Sequence, residues 1–555
     1  MEFNLAQIHE AVEAVGPDRE CFVFRDRRFT YRQFGDRTRR LANHLLAAGL
    51  GKVTDRATLA GHESGQDHLA IYLHNGNEYL ESMFGAYKAR LAPFNVNYRY
   101  VAEELLYLLN DSGAKAIVYH SAFAPTLEEV RAELPDLQVL VQVPDESGTE
   151  LLADAVWYED ALADQHTSLD PELVASWSPD DLYILYTGGT TGMPKGVLWR
   201  QADIYVGALG GRRLDTGGEY ETMADLEANA ANGGARLMPG PPFMHGAAHW
   251  LALRAISEAN TIVLPNQVDR FDPVDMLSVI DAEAVNVALI VGDAFGRPLV
   301  EEIERGDWSL SSLLMVVSGG AALSAGVKDR LLAANPSMMV LDGLGSSETG
   351  QQATQLTAAG QEASTGDFAP GPGMCILSED LSRVLEPGTG GDQPDGDADG
   401  WLGQAGRVPL GYLGDAAKTA RTFPVIDGVR YSVPGDRARL TAEGKLLLFG
   451  RDSVTINSGG EKIFAEEVEA AILHHPAVFD CVVAGRPSER WGNEVVAVVQ
   501  FAEGATATDD ELLEAASNHV ARYKLPKAIV VRDAIVRSPA GKADYRWAKA
   551  QAEAG

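Results

Sequence analysis

Residues 186–198 read YTGGTTGMPKGVL and directly follow DLYIL, an apolar run with β-branched and aromatic residues. Such a run predicts a buried strand. The strand passes into a loop of glycines, threonines and one lysine. Glycine lets backbone N–H groups approach an anion closely, threonine adds hydroxyl donors, and lysine adds a positive charge. The sequence therefore predicts a phosphate-binding loop after a strand.

The loop differs from the Walker phosphate loop, GxxxxGK[ST]. Lys195 follows Pro194 and precedes Gly196, which argues against a helix that begins at the lysine. An ordinary surface turn is the alternative interpretation, but a turn needs few such residues. This loop instead supplies several donors from Thr187, Thr190, Thr191 and Lys195.

Composition limits the class of protein. A chain of 555 residues exceeds the size of a single core and predicts at least two domains. The net charge of −33 argues against nucleic acid or an anionic membrane as partner. Cys21, Cys375 and Cys481 form neither a metal motif nor a disulfide framework. With no signal peptide and no membrane-spanning run, we expect a cytoplasmic protein without an integral membrane segment.

Strand-like and helix-like segments alternate along most of the chain, as in DHLAIYLHNG followed by NEYLESMFGAYKARL. An earlier segment, FTYRQFGDRTRRLANHLLAAG, shows helical spacing of apolar residues after a candidate helix cap at Thr30. This alternation predicts an α/β fold of layered helices around a largely parallel sheet. Residues 387–400, PGTGGDQPDGDADG, are expected to form a solvated loop. From about residue 452 the pattern becomes that of a compact α+β unit. We therefore predict a large N-terminal domain, 1–451, and a small C-terminal domain, 452–555.

The loop and four further motifs occur in order: YTGGTTGMPKG, GLGSSETG, YSVPGD, LFGRDSVTINSGGEKI and RSPAGK. Together they resemble the adenylate-forming superfamily, which includes acyl-CoA synthetases, peptide-synthetase adenylation domains and firefly luciferase. The combination looks most similar to actinobacterial steroid and long-chain fatty acyl-CoA ligases. The resemblance implies that a large apolar carboxylic acid attacks the α-phosphorus of ATP to give an acyl-adenylate. CoA then displaces AMP, with Mg²⁺ assisting the first step.

The same resemblance assigns the nucleotide site. Phosphate contacts are implied for Thr187, Gly188, Gly189, Thr190, Thr191, Gly192 and Lys195. Nucleotide contacts are implied for Gly319, Gly320, Ala321, Asp342, Gly343, Leu344, Gly345, Ser346 and Ser347. Glu348 is the implied Mg²⁺ ligand, in keeping with the preference of that ion for oxygen. Leu344 departs from the aromatic residue that stacks on adenine in many members.

Three residues near the domain junction and the C-terminus complete the implied adenylation site. Asp436 of YSVPGD matches the ribose-binding aspartate, and Arg451 matches the arginine near ribose and phosphate. Lys542 of SPAGK is the implied adenylation catalyst, bridging the substrate carboxylate and the α-phosphate. Catalytic roles are thus expected for Lys542, Thr187, Lys195 and Glu348.

The small domain is implied to be mobile and to serve both half-reactions. The implied CoA-facing segment consists of Ser458, Gly459, Gly460 and Glu461. This segment and Lys542 cannot face one active site together, so the domain must rotate between the two steps. Ser453 occupies the hinge position, where Asp or Lys is usual, and Val454 replaces the usual following Asp.

The resemblance also indicates which stretches of sequence line the acyl pocket. PPFMHGAAHW and VGDAFGRPL are the stretches implied to line it, with the candidates His245, Gly246, Gly292, Asp293 and Gly320. His245 could equally be a core or capping histidine. The small residues in both stretches are expected to leave room for a bulky apolar acid.

Other interpretations stay open at this level. The chain could be an acyl-AMP ligase that loads a carrier protein, a non-catalytic nucleotide-binding regulator, or a luciferase-type oxygenase. HPAVFD places His475 and Asp480 at the spacing of an acyltransferase motif, but a His-Pro pair more simply ends a helix. The family resemblance also favours a homodimer.

Overall fold

The computed structural model describes residues 2–187, 193–213, 215–387, 397–451, 454–458, 461–488, 492–520, 522–537 and 541–555. The helices of this part of the chain are α1 Leu5–Val15, α2 Tyr31–Ala47, α3 Asn77–Lys88, α4 Ala102–Ser112, α5 Ala124–Val130, α6 Tyr158–Ala163, α7 Pro171–Ser176, α8 Gln201–Ala208, α9 Met223–Ala231, α10 Gly246–Ser257, α11 Pro273–Ala282, α12 Gly292–Arg305, α13 Ala325–Ala334, α14 Ala416–Thr422, α15 Ala465–Ile472, α16 Asp509–Ser517 and α17 Tyr545–Ala554.

Its strands are β1 Glu20–Phe24, β2 Arg27–Thr30, β3 His68–Tyr72, β4 Ala92–Asn95, β5 Ala116–His120, β6 Val139–Val143, β7 Ala155–Trp157, β8 Leu182–Thr187, β9 Lys195–Arg200, β10 Arg236–Pro239, β11 Thr261–Val263, β12 Val287–Ile290, β13 Met315–Gly319, β14 Met339–Ser346, β15 Gly350–Ala358, β16 Asp367–Pro370, β17 Met374–Leu377, β18 Val384–Leu385, β19 Ala398–Ala405, β20 Gly411–Tyr412, β21 Val425–Ile426, β22 Val429–Ser432, β23 Asp436–Leu440, β24 Leu446–Arg451, β25 Ile456–Ser458, β26 Glu461–Ile463, β27 Val478–Ser488, β28 Gly492–Phe501 and β29 Ala528–Val531.

Parallel strands form the layers of the large domain. In one sheet β11, β10, β12, β13 and β14 run parallel to one another. In a second sheet the order is β4-β3-β5-β6-β7, and all pairs are parallel. Most of these strands are apolar runs buried on both faces, as in β3 and β6, which is typical of parallel sheets covered by helices. The α/β prediction is confirmed, and the carboxyl ends of β12, β13 and β14 meet at one edge.

Helix α2 illustrates how local sequence sets an element. The Thr30 hydroxyl accepts a hydrogen bond from the Gln33 amide, and the Gln33 side chain accepts one from the Thr30 amide. This capping box pairs two backbone donors that the first turn would otherwise leave unpaired. The predicted cap at Thr30 is confirmed.

The small C-terminal domain is an antiparallel sheet, β26-β25-β28-β27, with β29 added in parallel to β28. Helices α15 and α16 enclose a separate core with β25, β27 and β28. Arg451 ends β24, which pairs with β23 of the large sheet, whereas β25 begins at Ile456. These features fit the predicted α+β unit. Most of the solvated loop predicted for 387–400 lies outside the described residues.

All three cysteines are free thiols. Cys21 is buried in the large domain, Cys481 is buried in the small domain, and Cys375 is half-buried. Over the described ranges, none of the helices combines the length and apolarity that crossing a bilayer requires.

Candidate active site

The predicted phosphate loop connects two antiparallel strands. Thr187 ends β8, Lys195 begins β9, and the two residues face each other as the last pair of that ladder. The predicted strand before the loop is confirmed, and Lys195 begins a strand rather than a helix. The predicted contacts at Gly188, Gly189, Thr190, Thr191 and Gly192 lie outside the described residues.

Asp111 of α4 fixes the side chain of Lys195. The Lys195 ammonium donates to Asp111 Oδ1 at 3.2 Å, and the same carboxylate accepts from the hydroxyls of Tyr107 and Tyr186 at 3.2 and 2.9 Å. Burial opposes charge on Lys195, but the hydrogen bonds to Tyr107 and Asp111 outweigh it and raise the Lys195 pKa above its usual value. The lysine therefore stays a cation beside the loop.

Glu348 lies in the turn between β14 and β15. Its Oε1 accepts from the Tyr412 hydroxyl at 2.8 Å, and its carbonyl accepts from the Ser432 hydroxyl at 2.6 Å. The preceding carbonyl, that of Ser347, accepts from Trp199 Nε1 at 2.8 Å. Because Trp199 belongs to β9, this bond ties the Glu348 turn to the strand that begins at Lys195.

Lys418 of α14 is a cation that the sequence did not single out. Its ammonium lies 3.9 Å from the centroid of the Tyr412 ring. Burial lowers the Lys418 pKa, attraction to Glu348 opposes that shift, and repulsion from Lys195 adds to it. Lys195, Glu348 and Lys418 are thus close enough to interact. Two ammonium groups suit phosphate oxygens, and the carboxylate between them is an oxygen ligand of the kind that a phosphate-bound divalent cation takes.

Glycines from two parallel strands lie side by side at the carboxyl edge of the sheet. Gly319 of β13 is paired with Gly343 of β14, and Gly320 follows with φ +86°. Carboxyl ends of parallel strands are the usual ligand-binding edge of such sheets. The sequence placed Gly319, Gly320, Ala321 and Gly343 at the nucleotide, and all four belong to this edge.

Asp342 behaves differently from its predicted nucleotide role. Its carboxylate is buried and forms an ion pair with the buried Lys328 ammonium at 3.0 Å. Lys328 also donates to the Gln355 side chain and to the Ser364 carbonyl. Burial raises the Asp342 pKa to about 6 against the attraction of Lys328. The Asp342 carboxylate is therefore part of the scaffold below the glycine edge.

The remaining residues of GLGSSETG form the end of the β14–β15 hairpin. Ser346 donates its amide to the Thr349 hydroxyl at 3.0 Å, which closes the turn. Gly345 faces Gln351, and a Cβ at Gly345 would lie 2.2 Å from the Gly350 carbonyl. Leu344 packs against the apolar cluster that contains Ala353 and Phe368. The motif is thus a strand hairpin and not a helix cap.

Two predicted acyl-pocket residues, Gly292 and Asp293, contact the backbone of residues 322–324. Asp293 Oδ1 accepts from the Ser324 amide at 2.7 Å, and Oδ2 pairs with Arg297. A Cβ on Gly292 would lie 2.4 Å from the Ala322 carbonyl, and its φ is +49°. Gly246 is similarly backed by Leu185, 3.0 Å from a Cβ position. Neighbouring atoms thus occupy the Cβ directions of Gly292 and Gly246, and the expected room for a bulky acid stays a prediction.

His245 immediately precedes α10 at its N-cap position, without a side-chain capping bond. Its Nε2 atom is buried and has no hydrogen-bond partner within the described part of the chain. Burial, with repulsion from Lys542, lowers the His245 pKa to about 3. The nearby His249 is instead satisfied by the Phe243 carbonyl and the Tyr183 hydroxyl. Of the two histidine interpretations, the geometry favours a site residue for His245.

Lys542 reaches the glycine edge from the small domain. Its Cε lies 4.0 Å from the Cβ position of Gly320. The preceding Gly541 has φ +71°, and a Cβ there would lie 3.0 Å from Ala294 Cβ and 3.3 Å from Val291 Cγ1. The structure therefore brings Lys542, Gly320 and His245 together, which is the small-domain orientation expected for adenylation.

The implied ribose and CoA segments are only partly described. Asp436 faces Arg451 across β23 and β24, so the two predicted ribose contacts are neighbours in the backbone. Ser458 is buried and pairs with Glu461 in the β25–β26 hairpin. Gly459, Gly460 and the hinge Ser453 lie outside the described residues, as do the side chains of Arg451 and Glu461.

Asn95 supports the site but was not predicted from the sequence. Its Nδ2 donates to the carbonyls of Tyr186 and Met244 at 2.8 and 2.7 Å, and its Oδ1 accepts from the Tyr186 amide at 2.8 Å. The residue thus joins the end of β8 to the segment before His245. A polar residue at the end of the buried strand β4 was the available signal.

The second histidine motif has a structural role. His475 Nδ1 accepts from the Ala477 amide at 3.2 Å, just after α15. Asp480 pairs with Arg537 at 2.6 Å. The preferred interpretation, a helix-ending His-Pro pair rather than an acyltransferase motif, agrees with this geometry.

Comparison with known proteins identifies the family. The AMP-binding enzyme family matches residues 9–392, and the AMP-binding enzyme C-terminal domain matches residues 467–542. The chain is 56% identical to the medium-chain acyl-CoA ligase Mig of Mycobacterium avium, covering 100% of this chain and 99% of that protein. It is 37% identical to a 3-oxocholest-4-en-26-oate–CoA ligase of Rhodococcus rhodochrous, covering 99% and 96% of the two chains.

A solved structure supports the fold. The anthranilate CoA ligase AuaEII, in complex with anthranoyl-AMP, superimposes with a TM-score of 0.81 at 20% identity, covering 99% of this chain and 97% of that one. The motifs, the two-domain fold and the full-length similarity agree with one another. The chain belongs to the AMP-binding enzyme family and is an AMP-forming acyl-CoA ligase that uses ATP and CoA.

Proposed function

We propose that this ligase activates medium- to long-chain fatty acids. The observation that supports the mechanism is the approach of Lys542 to Gly320 and His245. The acid carboxylate attacks the α-phosphorus of ATP, and pyrophosphate leaves. The CoA thiolate then attacks the acyl carbonyl carbon, and AMP leaves with the oxygen that had joined the acyl group to phosphorus. Each step forms one bond and breaks one bond.

The roles of the residues follow from their charges. Lys542 would stabilise the negative charge that develops between carboxylate and phosphate. Lys195, with Thr187 at the other end of the loop, would hold the departing phosphates. Glu348 would hold Mg²⁺, which neutralises phosphate charge during the first step. Asp436 and Arg451 would bind the ribose, and Ser458 to Glu461 would face CoA after the small domain rotates.

The names and identities of the relatives favour a fatty acid over a steroid acid. The relative with 56% identity is named for medium-chain acids, whereas relatives at 37–38% identity carry the steroid name. The steroid reaction remains a second candidate because the relative of Mycobacterium marinum is named for both substrate classes. A cytoplasmic location and a homodimer stay predictions.

Acyl-CoA and AMP formation should be measured with ATP, Mg²⁺ and CoA, using saturated acids from eight to eighteen carbons and a steroid side-chain carboxylate. We expect kcat/KM to peak for an unbranched chain and to be at least about tenfold lower for the steroid. A higher kcat/KM for the steroid would reverse the substrate assignment. Adenylate without thioester would instead support a carrier-loading ligase.

A further inference from the structure

Arg297 of α12 makes a direct contact between the two domains. Its Nη1 donates to the Val478 carbonyl at 3.4 Å, and its guanidinium carbon lies 5.8 Å from the centroid of the Phe479 ring. Asp293, one helical turn earlier, pairs with the same guanidinium at 2.8 Å. The arginine is therefore held on the large domain while it binds the start of β27 in the small domain.

The next residue of β27 is connected to the segment that bears Lys542. Asp480 accepts two hydrogen bonds from Arg537, at 2.6 and 2.7 Å. Arg537 Nη1 also donates to the Gly541 carbonyl at 3.1 Å. Two-point pairing of a guanidinium with a carboxylate restricts its orientation strongly. A displacement of residues 478–480 would consequently displace the carbonyl next to Lys542.

The path of contacts closes on the helix from which it starts. Gly541 lies against Ala294 and Val291, the neighbours of Asp293, with Cβ-position distances of 3.0 and 3.3 Å. Its φ of +71° is costly for any other residue type. Residues 478–480 and 541 thus approach the first turns of α12 together, and Lys542 projects from this assembly toward Gly320.

We propose that Arg297 is a positioning residue of the adenylation step. By binding Val478 and Phe479 it fixes the Asp480–Arg537 pair, and through Arg537 it fixes Lys542. The inference rests on the proposed role of Lys542 and on the rotation of the small domain between steps. Arg297 acts through other residues, and its interdomain contact must break before CoA can react. Its removal should therefore impair adenylation and spare thioester formation.

The test compares two half-reactions in the full chain. Pyrophosphate release from acid and ATP reports adenylation, and acyl-CoA formation from synthetic acyl-adenylate reports the second step. We expect Arg297→Ala to slow the first by about tenfold or more, because small misplacements of catalytic groups are costly. The second should stay within about twofold. Arg305→Ala is the matched control, since Arg305 lies on the same helix and pairs only weakly with Glu301, at 3.9 Å.

Two further variants separate positioning from folding. Asp480→Asn weakens the Asp480–Arg537 pair without changing Asp293. It should likewise slow adenylation and leave thioester formation nearly unchanged. Phe479→Ala removes the ring beneath the guanidinium and should give a smaller difference between the half-reactions. Equal loss of both half-reactions in Arg297→Ala and in Asp480→Asn would overturn the proposal. Lys542→Ala is the reference variant. If it slows both half-reactions equally, the proposed catalytic role of Lys542 is wrong. If it slows adenylation alone but Arg297→Ala does not, only the positioning role of Arg297 is refuted.

Discussion

The two sides of the active site are built in different ways. On the large-domain side, Lys195 and Glu348 lie in or beside paired strands, and their partners Asp111 and Tyr412 come from α4 and β20. On the small-domain side, Lys542 depends on contacts of Gly541 with α12 and Arg537. The large-domain side is therefore formed by folding, and the small-domain side is formed by docking. Substitutions that break the packing of the large-domain side should affect stability, whereas substitutions on the small-domain side should affect only one half-reaction.

The largest effect should follow Lys542→Ala. Loss of the ammonium that faces Gly320 should slow adenylation on the order of 10³-fold, since a preorganised charge at the reacting centre is lost. Thioester formation from synthetic acyl-adenylate and the midpoint of urea unfolding should stay near their original values. Lys549→Ala, at an exposed position of α17, is the control. A comparable loss of the second step would remove the distinction between folding and docking.

Breaking the buried Asp342–Lys328 pair should mainly affect stability. Asp342→Leu leaves the Lys328 ammonium buried without its carboxylate, which should cost about 3–5 kcal/mol in the free energy of unfolding. Adding Lys328→Met should recover most of that loss, because a buried pair can be replaced by apolar groups. Urea unfolding at pH 7.5 measures both variants. Simple additivity of the two single substitutions would contradict the pairing.

Glu348→Gln tests whether the large-domain side of the site binds Mg²⁺. Removing the negative charge should lower the adenylation rate by about 10²-fold and raise the Mg²⁺ concentration needed for half-maximal rate. Tyr412→Phe removes only the hydrogen bond to Glu348 and should change the rate by about threefold. The check is a Mg²⁺ titration of pyrophosphate release. An unchanged Mg²⁺ dependence in the glutamine variant would exclude Glu348 as a ligand.

The smallest effect concerns the pH dependence of stability. The His245 pKa is lowered to about 3 in the folded chain, whereas an unfolded histidine has a pKa near ~6.5. Between these values the unfolded state binds more protons, so stability rises with pH and its full value is reached above about 6.5. His245→Gln should reduce this slope by up to about 1.4 kcal/mol per pH unit.

Urea unfolding at pH 5 and pH 7 tests the slope, with His166→Gln as a surface control. Identical pH dependence in the parent and in His245→Gln would mean that His245 gains a proton in the folded state. In that case its buried Nε2 would have access to solvent or to a proton acceptor.

Local patterns predicted the fold well because burial on both faces leaves an unmistakable apolar run. DLYIL before the loop, the cap at Thr30 and the alternation of elements all depend on neighbouring residues. Motifs likewise located Lys195, Glu348 and Lys542. Asp111, Lys418 and Lys328 could not be found this way, since each acquires its role only when distant segments pack together. The packing around Gly246 and Gly292 could not be predicted either, because an absent side chain does not reveal which atoms lie beside it.

The cysteines supply an independent view of the two domains. Cys21 lies within the core of the large domain, and Cys481, next to Asp480, lies within the core of the small one. Burial raises the pKa of both thiols well above the ordinary value, so neither thiol is reactive while its domain remains folded. In a variant in which serine replaces the half-buried Cys375, mass spectrometry can follow the alkylation of Cys21 and of Cys481 separately. The alkylation rate of Cys21 then reports unfolding of the large domain, and the alkylation rate of Cys481 reports unfolding of the small domain, without any measurement of catalysis.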